Sequence, residues 1–186
     1  FGGNCSIYAG DYCDAAGSNI VILTSGIARK PGQTRLELAQ TNVNITKSIL
    51  PQITKYAPNA IYIIVSNPVD ILTYVFFKQS GLPANHIIGS GTVLDTSRLR
   101  ARLSEYYNIN QTNVHAYVFG EHGDSSFVPW SVANISGVPI KDCPQLITTP
   151  GMISPALDFA EIETYVKKSG GRVIARKGAT FYAVSA

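Results

Sequence analysis

The chain has 186 residues, with 15 Lys plus Arg against 12 Asp plus Glu, a net +3 with the histidines neutral, and 45% hydrophobic residues. That balance excludes a disordered chain, and no basic stripe of the kind a nucleic-acid surface uses stands out. The apolar runs, such as Ile61 to Val65, are too short to span a bilayer, and no charged segment precedes an apolar one as in a signal peptide.

Asn19 to Thr24 (NIVILT) is a continuous β-branched run closed by Ser25-Gly26, the pattern of a strand buried on both faces. A helix is expected over about Thr34 to Tyr56. Leu36, Ala39, Val43, Leu50 and Ile53 form its apolar stripe, and Pro51 should kink it. Ala60 to Ser66 reads as a second buried strand, broken by Asn67-Pro68. Val69 to Ser80 reads as a helix ended by Gly81. Ile87 to Gly89 is a short strand, Leu94 to Tyr107 a helix and Val114 to Phe119 a strand. This alternation predicts a parallel sheet with crossover helices. From Phe127 the texture changes. Trp130 to Ile140 predicts a hairpin turning at Ser136-Gly137, Cys143 to Ser154 a loop, and Asp158 to Lys177 one helix containing Gly170-Gly171. The segment from Val173 continues apolar to Ala186, and Gly178 interrupts it without an evident cap. Both ends look cut, since the chain opens on Phe1 and carries no stop signal at its close. Three cysteines, Cys5, Cys13 and Cys143, lack metal-type spacing, which favours a reduced, cytoplasmic setting and no metal site.

Four strings can carry chemistry. Gly120-Glu121-His122-Gly123-Asp124-Ser125 presents an imidazole between glycines after a strand, suited to proton transfer at the carboxyl edge of a sheet. A turn histidine without a role fits equally. In Asp95-Thr96-Ser97-Arg98-Leu99-Arg100, the spacing puts Asp95 and Arg98 on neighbouring helix surface, where Arg98 can grip an anion. An exposed helical ion pair fits too. Arg100 lies roughly 200° round the helix from Arg98, so the two cannot easily serve the same site. The loop Gly26 to Arg35 holds Arg29, Lys30 and Arg35 and reads as a charged lid or a solvated loop. Val65-Ser66-Asn67-Pro68-Val69-Asp70 puts Asn67 at a strand end, as a ligand contact or as plain turn chemistry.

Taken in this order, GSGTVLDTSRLR, NPVDILTY and GEHGDS resemble the NAD-dependent 2-hydroxyacid dehydrogenases of the lactate/malate dehydrogenase family, from about Ser6 onward. The implied fold is α/β. Residues 1–90 would be the later part of a Rossmann-type doubly wound parallel sheet that binds NAD. Residues 91–186 would be the start of an α+β substrate domain. The resemblance implies interconversion of pyruvate and L-lactate, as in glycolytic fermentation to lactate. His122 would donate the proton, Asp95 would hold the imidazole and favour its protonated form, and Arg98 would bind the substrate carboxylate. Arg35 would polarise the carbonyl, while Asn67 and Thr180 would contact substrate. Tyr12, Gly26, Ile27, Ser48, Val65, Ser66, Asn67 and Ser90 match positions that touch the coenzyme. Arg100 and His115 match a fructose 1,6-bisphosphate effector site of allosteric members, and a homotetramer is implied. His115 and His122 stand seven apart, which along one extended strand sends them to opposite faces.

Two features depart from the family. Its opening strand, Gly-rich phosphate loop, helix and ribose-binding acid are absent, about 60 residues, as is the end of the substrate domain. The chain alone is therefore expected to be inactive, and a non-catalytic remnant is the alternative of a different class. Position 29 is Arg, as in malate dehydrogenases, where it would pair with the second carboxylate of oxaloacetate. Glu121 and the Gly89-Ser90-Gly91-Thr92 string point instead to the lactate branch, which leaves malate as the runner-up substrate.

Overall fold

Which face each apolar run buries is decided by the direction of its crossover. The computed structural model describes residues 4–28, 35–145, 157–178 and 180, and two compact units divide the chain, Phe1–Ser90 and Gly91–Ala186. In the first, Ile20–Leu23 (β1), Ile61–Ile64 (β2) and Ile87–Gly89 (β3) form a parallel sheet in the order β1-β2-β3. Helix α1 (Arg35–Tyr56) joins β1 to β2, and α2 (Val69–Ser80) joins β2 to β3. Both crossovers step the same way, so right-handed connections put both helices on one face. That face packs Tyr62 and Ile64 against Leu50, Ile53, Ala57, Val69, Leu72 and Phe76.

The opposite face differs from the expectation of strands buried on both sides. The register sets Ile20 beside Ile61, Ile22 beside Ile63, and Ile63 beside Ile88, two adjoining rows of isoleucines. Ile20 and Ile22 are 57% and 59% exposed, because among the described residues no helix reaches that side. Leu36 also leaves the expected stripe. It sits in the first turn of α1, a turn beyond buried Ala39, and is exposed. Ala39, Leu50 and Ile53 do line the buried side, and α1 continues through Pro51 to Tyr56. Gly81 (φ 71°) closes α2 in the left-handed region, as its sequence position predicts. A Cβ at Gly89 would stand 2.6 Å from Thr73 Oγ1, so glycine is what lets α2 lie against β3.

The second unit is α+β. Helix α3 (Val93–Tyr107) packs on an antiparallel sheet of Val114–His115 (β4), Asn134–Ile135 (β5) and Val138–Pro139 (β6), in the order β4-β5-β6. The expected hairpin is present. Ser136 and Gly137 both take positive φ (50° and 91°), the two-residue turn whose twist suits a β-ribbon. Its first residues differ, since Trp130–Val132 is a 3-10 turn rather than strand. The expected strand Val114 to Phe119 is also shorter, and it belongs to this antiparallel sheet instead of extending the parallel one. Beyond His115 its backbone is taken by side chains of α3. The Ala116 carbonyl accepts from Arg100 Nε (3.1 Å), and Val118 N–H donates to Thr96 Oγ1 (2.9 Å).

The C-terminal segment forms two helices, α4 (Phe159–Lys167) and α5 (Ser169–Lys177), not one. At the junction the Tyr165 carbonyl accepts from Ser169 Oγ (2.7 Å) and Arg172 Nη2 (2.8 Å), and the two glycines fall in the first turn of α5. Gly178 is a true cap, against expectation. It takes φ 79° and its N–H donates to the Ile174 carbonyl. Ile140–Gln145 is a 3-10 turn where a loop was expected, and it carries buried Cys143. The expected apolar continuation over 181–186 lies outside the described residues, as does most of the expected loop, 146–154. Leu99, Leu103, Tyr107, Val114, Ile135, Ile140, Ile162 and Val166 make this unit's core. Trp130 fastens α4 to it, stacking on Phe159 at 4.4 Å and donating Nε1–H to Glu163 (2.7 Å).

Leu72 is fully buried, so Leu72→Ala should lower unfolding free energy by about 2–5 kcal/mol in urea titration of the intact protein. Burial first, then the neighbouring Cys143 and Tyr106, push the Tyr107 phenol from 10.0 up to about 12. The folded state favours the neutral phenol, so this contribution is complete below pH 10 and is lost as pH rises toward about 12. Burial also raises the Tyr62 phenol, so tyrosinate absorbance should show late-ionising groups at both residues, and Tyr107→Phe should remove one of them.

Candidate active site

A carboxylate in the first turn of a helix is the centre of the second unit's chemistry. Asp95 is the third residue of α3 and 6% exposed, and a buried carboxylate needs partners to offset its lost hydration. Its two oxygens divide the work. Oδ2 lies 2.5 Å from His122 Nδ1, and Oδ1 lies 3.4 Å from Arg98 Nη1. The bond at Nδ1 orients the imidazole. Among the described residues the ion pair uses only Nη1 of Arg98, so the rest of the fork remains for a carboxylate. Asp95 and Arg98 are thus no exposed ion pair, and the imidazole of His122 is tied to the same carboxylate.

The loop bearing His122 is closed at its neck. Phe119 and Phe127 exchange backbone hydrogen bonds of 2.8 and 3.0 Å. Gly120 (φ 92°) makes the bend into the loop, so no strand runs from His115 to His122. The seven-residue parity argument therefore does not apply, and the edge that presents His122 belongs to antiparallel pairing, not to the parallel sheet. Inside the loop, Ser125 Oγ donates to Glu121 Oε2 (2.6 Å) and Gly123 N–H to the Glu121 carbonyl (2.8 Å).

Two further residues, which the sequence reading passed over, hold this assembly. Thr92 Oγ1 donates to the Val118 carbonyl (2.5 Å), and Thr96 Oγ1 accepts from Val118 N–H (2.9 Å). The threonines flank Asp95 four residues apart on one helix face and pin the strand that leads to His122. Hydroxyls at i and i+4 around an acidic residue are the signal that could have revealed them.

In the first unit the candidate coenzyme residues gather at the carboxyl ends of parallel strands. Gly26 and Ile27 follow β1, Val65, Ser66 and Asn67 follow β2, and Ser90 follows β3. The Leu23 carbonyl accepts from the N–H groups of Val65 (3.0 Å) and Ser66 (3.3 Å), and Ser90 N–H donates to Ile64. Another residue not singled out in the sequence, Asn42 of α1, links two of these ends. Its Oδ1 accepts from Ile27 N–H (2.9 Å) and its Nδ2 donates to the Asn67 carbonyl (2.7 Å). Its signal was a buried amide within the stripe of an amphipathic helix.

The remaining candidates stand apart. Tyr12 is half-exposed on a 3-10 turn, and Ser48 Oγ is turned back on the Ile45 carbonyl (2.7 Å). Arg100 bonds the Ala116 carbonyl and stacks on Tyr117 at 4.6 Å, beside exposed His115 and away from Arg98. Thr180 is exposed. Arg29 lies outside the described residues, and Arg35 is described only as the backbone that opens α1.

Comparison with known proteins matches the two units separately. Residues 2–89 match the family model described as lactate/malate dehydrogenase, NAD binding domain, and residues 92–186 match its alpha/beta C-terminal domain. L-lactate dehydrogenase 1 of Clostridium acetobutylicum is 50% identical over 179 residues, covering 96% of this chain and 56% of that protein. L-lactate dehydrogenase of Thermoanaerobacterium saccharolyticum is 47% identical over 180 residues, 97% of this chain and 57% of that protein. The chain therefore spans about half the length of the curated relatives it matches. Among solved structures, minor L-lactate dehydrogenase from Enterococcus mundtii superposes with a TM-score of 0.87 at 38% identity, covering 97% of this chain and 56% of that one. A lactate dehydrogenase enzyme from a Medee basin deep-sea metagenome library gives 0.86 at 43% identity, covering 96% and 56%. With both family models matched in succession, this chain belongs to the lactate/malate dehydrogenase family.

Proposed function

We propose that the protein is an NAD-dependent L-lactate dehydrogenase, an oxidoreductase interconverting pyruvate and L-lactate. The observation that carries this reading is the His122–Asp95–Arg98 arrangement, an acid–base group and a carboxylate-binding cation held by one buried carboxylate. Residues 1–90 take the coenzyme side and residues 91–186 the substrate side. The residues present fit the nicotinamide half of NAD, since Gly26, Val65, Ser66 and Ser90 end neighbouring parallel strands, the edge where open α/β sheets take ligands. The coenzyme supplies the hydride. The chain's own groups do the rest. Arg98 binds the substrate carboxylate, His122 gives its proton to the keto oxygen and recovers it in reverse, and Asp95 keeps the imidazole oriented. Arg35 polarises the carbonyl, Asn67 and Thr180 contact the substrate, and Tyr12, Ile27 and Ser48 contact the coenzyme.

Further elements of the reading are a cytoplasmic setting, a place in fermentation of pyruvate to lactate, a homotetramer and activation by fructose 1,6-bisphosphate. Three free cysteines suit a reducing compartment. Arg100 and His115, fifteen residues apart in the chain, supply two basic side chains for an effector phosphate, since the fold brings Arg100 to bond the residue after His115. Malate dehydrogenase is the second reading, favoured by Arg29 alone. A guanidinium facing pyruvate's methyl group would be unpaired in a closed site, a cost of several kcal/mol.

Steady-state NADH oxidation by the intact protein separates these readings. kcat/KM should be higher for pyruvate than for oxaloacetate, and fructose 1,6-bisphosphate should raise it. Preference for oxaloacetate would hand the assignment to the malate branch, and turnover of neither would remove the dehydrogenase reading. His122→Gln should cost about 10²–10⁴-fold in kcat, while a loss below about ten-fold would deny it the proton-transfer role. Arg29→Gln should lower use of oxaloacetate more than use of pyruvate, measured as the ratio of the two kcat/KM values.

A further inference from the structure

We propose that Asn42 is a positioning residue that aims Asn67 and the start of the loop after β1. This deepens the dehydrogenase reading and rests on it for the role of Asn67. Backbone pairing between β1 and β2 ends where Val65 and Ser66 donate to Leu23. One residue further, Asn42 takes over. It is 2% exposed, its Oδ1 accepts from Ile27 N–H (2.9 Å), and its Nδ2 donates to the carbonyls of Asn67 (2.7 Å) and Ile27 (3.3 Å).

The orientation of the amide is fixed by its partners. Reversed, it would set an oxygen against two carbonyls and an NH2 against an N–H. Both amide donors are used, so the carboxamide behaves as a rung between two loops that no longer pair with each other. Gly26 lets it lie there. Gly26 takes φ 156°, and a Cβ on it would stand 3.3 Å from the Asn42 Cγ and Oδ1. A helix that needed only a packing residue at this position would carry an apolar one, as it does at Ala39 and Leu50. By holding the Asn67 carbonyl, Asn42 sets the direction of the Asn67 side chain.

Asn42→Asp keeps size and the acceptor for Ile27 N–H, but removes both donors and turns an oxygen on two carbonyls. In the intact protein it should lower kcat per NADH-binding site about ten-fold or more and raise KM for pyruvate, with site number counted by NADH fluorescence titration. Asn42→Gln, which keeps the donors but displaces them, should lose less. Backbone hydrogen exchange should accelerate about ten-fold or more over residues 24–28 and at Ser66 and Asn67 in both variants, while residues 61–64 stay protected. A purely structural role predicts a lower melting temperature and fewer NADH-binding sites, with kcat per site, KM and exchange in both loops unchanged, and that result overturns the proposal. If Asn42→Asp does not fold, Asn42→Gln carries the same comparison. If the unsubstituted protein turns over neither pyruvate nor oxaloacetate, the functional reading fails by itself, and hydrogen exchange alone decides whether Asn42 holds the two loops.

Discussion

A single buried carboxylate organises the second unit of this chain. Asp95 spends one oxygen on His122 and the other on Arg98, so the two groups with the most chemistry to offer are fixed by one atom each. Such a carboxylate is tolerable inside a protein only while both partners stay in place, and the cost of losing one is large. The loop that delivers His122 must therefore be as well held as the helix that delivers Asp95. It is, by the paired backbone of Phe119 and Phe127 at its neck and by Thr92 and Thr96 on the strand before it.

The two units solve the same problem in the same way. In each, a strand runs out of backbone partners just before the residues of interest, and a helix supplies side-chain hydrogen bonds in their place. In the second unit the hydroxyls of Thr92 and Thr96 hold Val118. In the first, the carboxamide of Asn42 holds Ile27 and Asn67. Side-chain bonds fix a loop without the company of a neighbouring strand, which leaves the edge of the sheet open toward a ligand.

Elements set by local chemistry were legible in the sequence. The helix Val69–Ser80 was bounded by Pro68 and Gly81, and the strand Ile87–Gly89 and the turn at Ser136-Gly137 were readable from composition alone. The spacing of Asp95 and Arg98 likewise foretold their contact. What failed depended on partners distant in sequence. Whether Ile20 and Ile22 are covered depends on the hand of two crossovers, not on their own run of residues. Whether the strand beyond His115 continues depends on side chains from α3 competing for its backbone. Lys168 breaks the last helix because Arg172 and Ser169 compete for a carbonyl, and the helical periodicity carries no trace of that competition. Asn42, Thr92 and Thr96 carried only weak signals for a related reason: each is an ordinary polar residue until the loop it holds has been folded against it.

The isoleucines that share one face of β1, β2 and β3 have a consequence for the surface of this unit. Branched side chains in register make a continuous apolar plate, of the kind that packs on another layer at the spacing of stacked sheets, about 10 Å. An apolar plate of this sort is a place of contact rather than an ordinary surface. The same β-branched side chains that make these segments strands thus leave the sheet with an apolar face that no helix among the described residues covers.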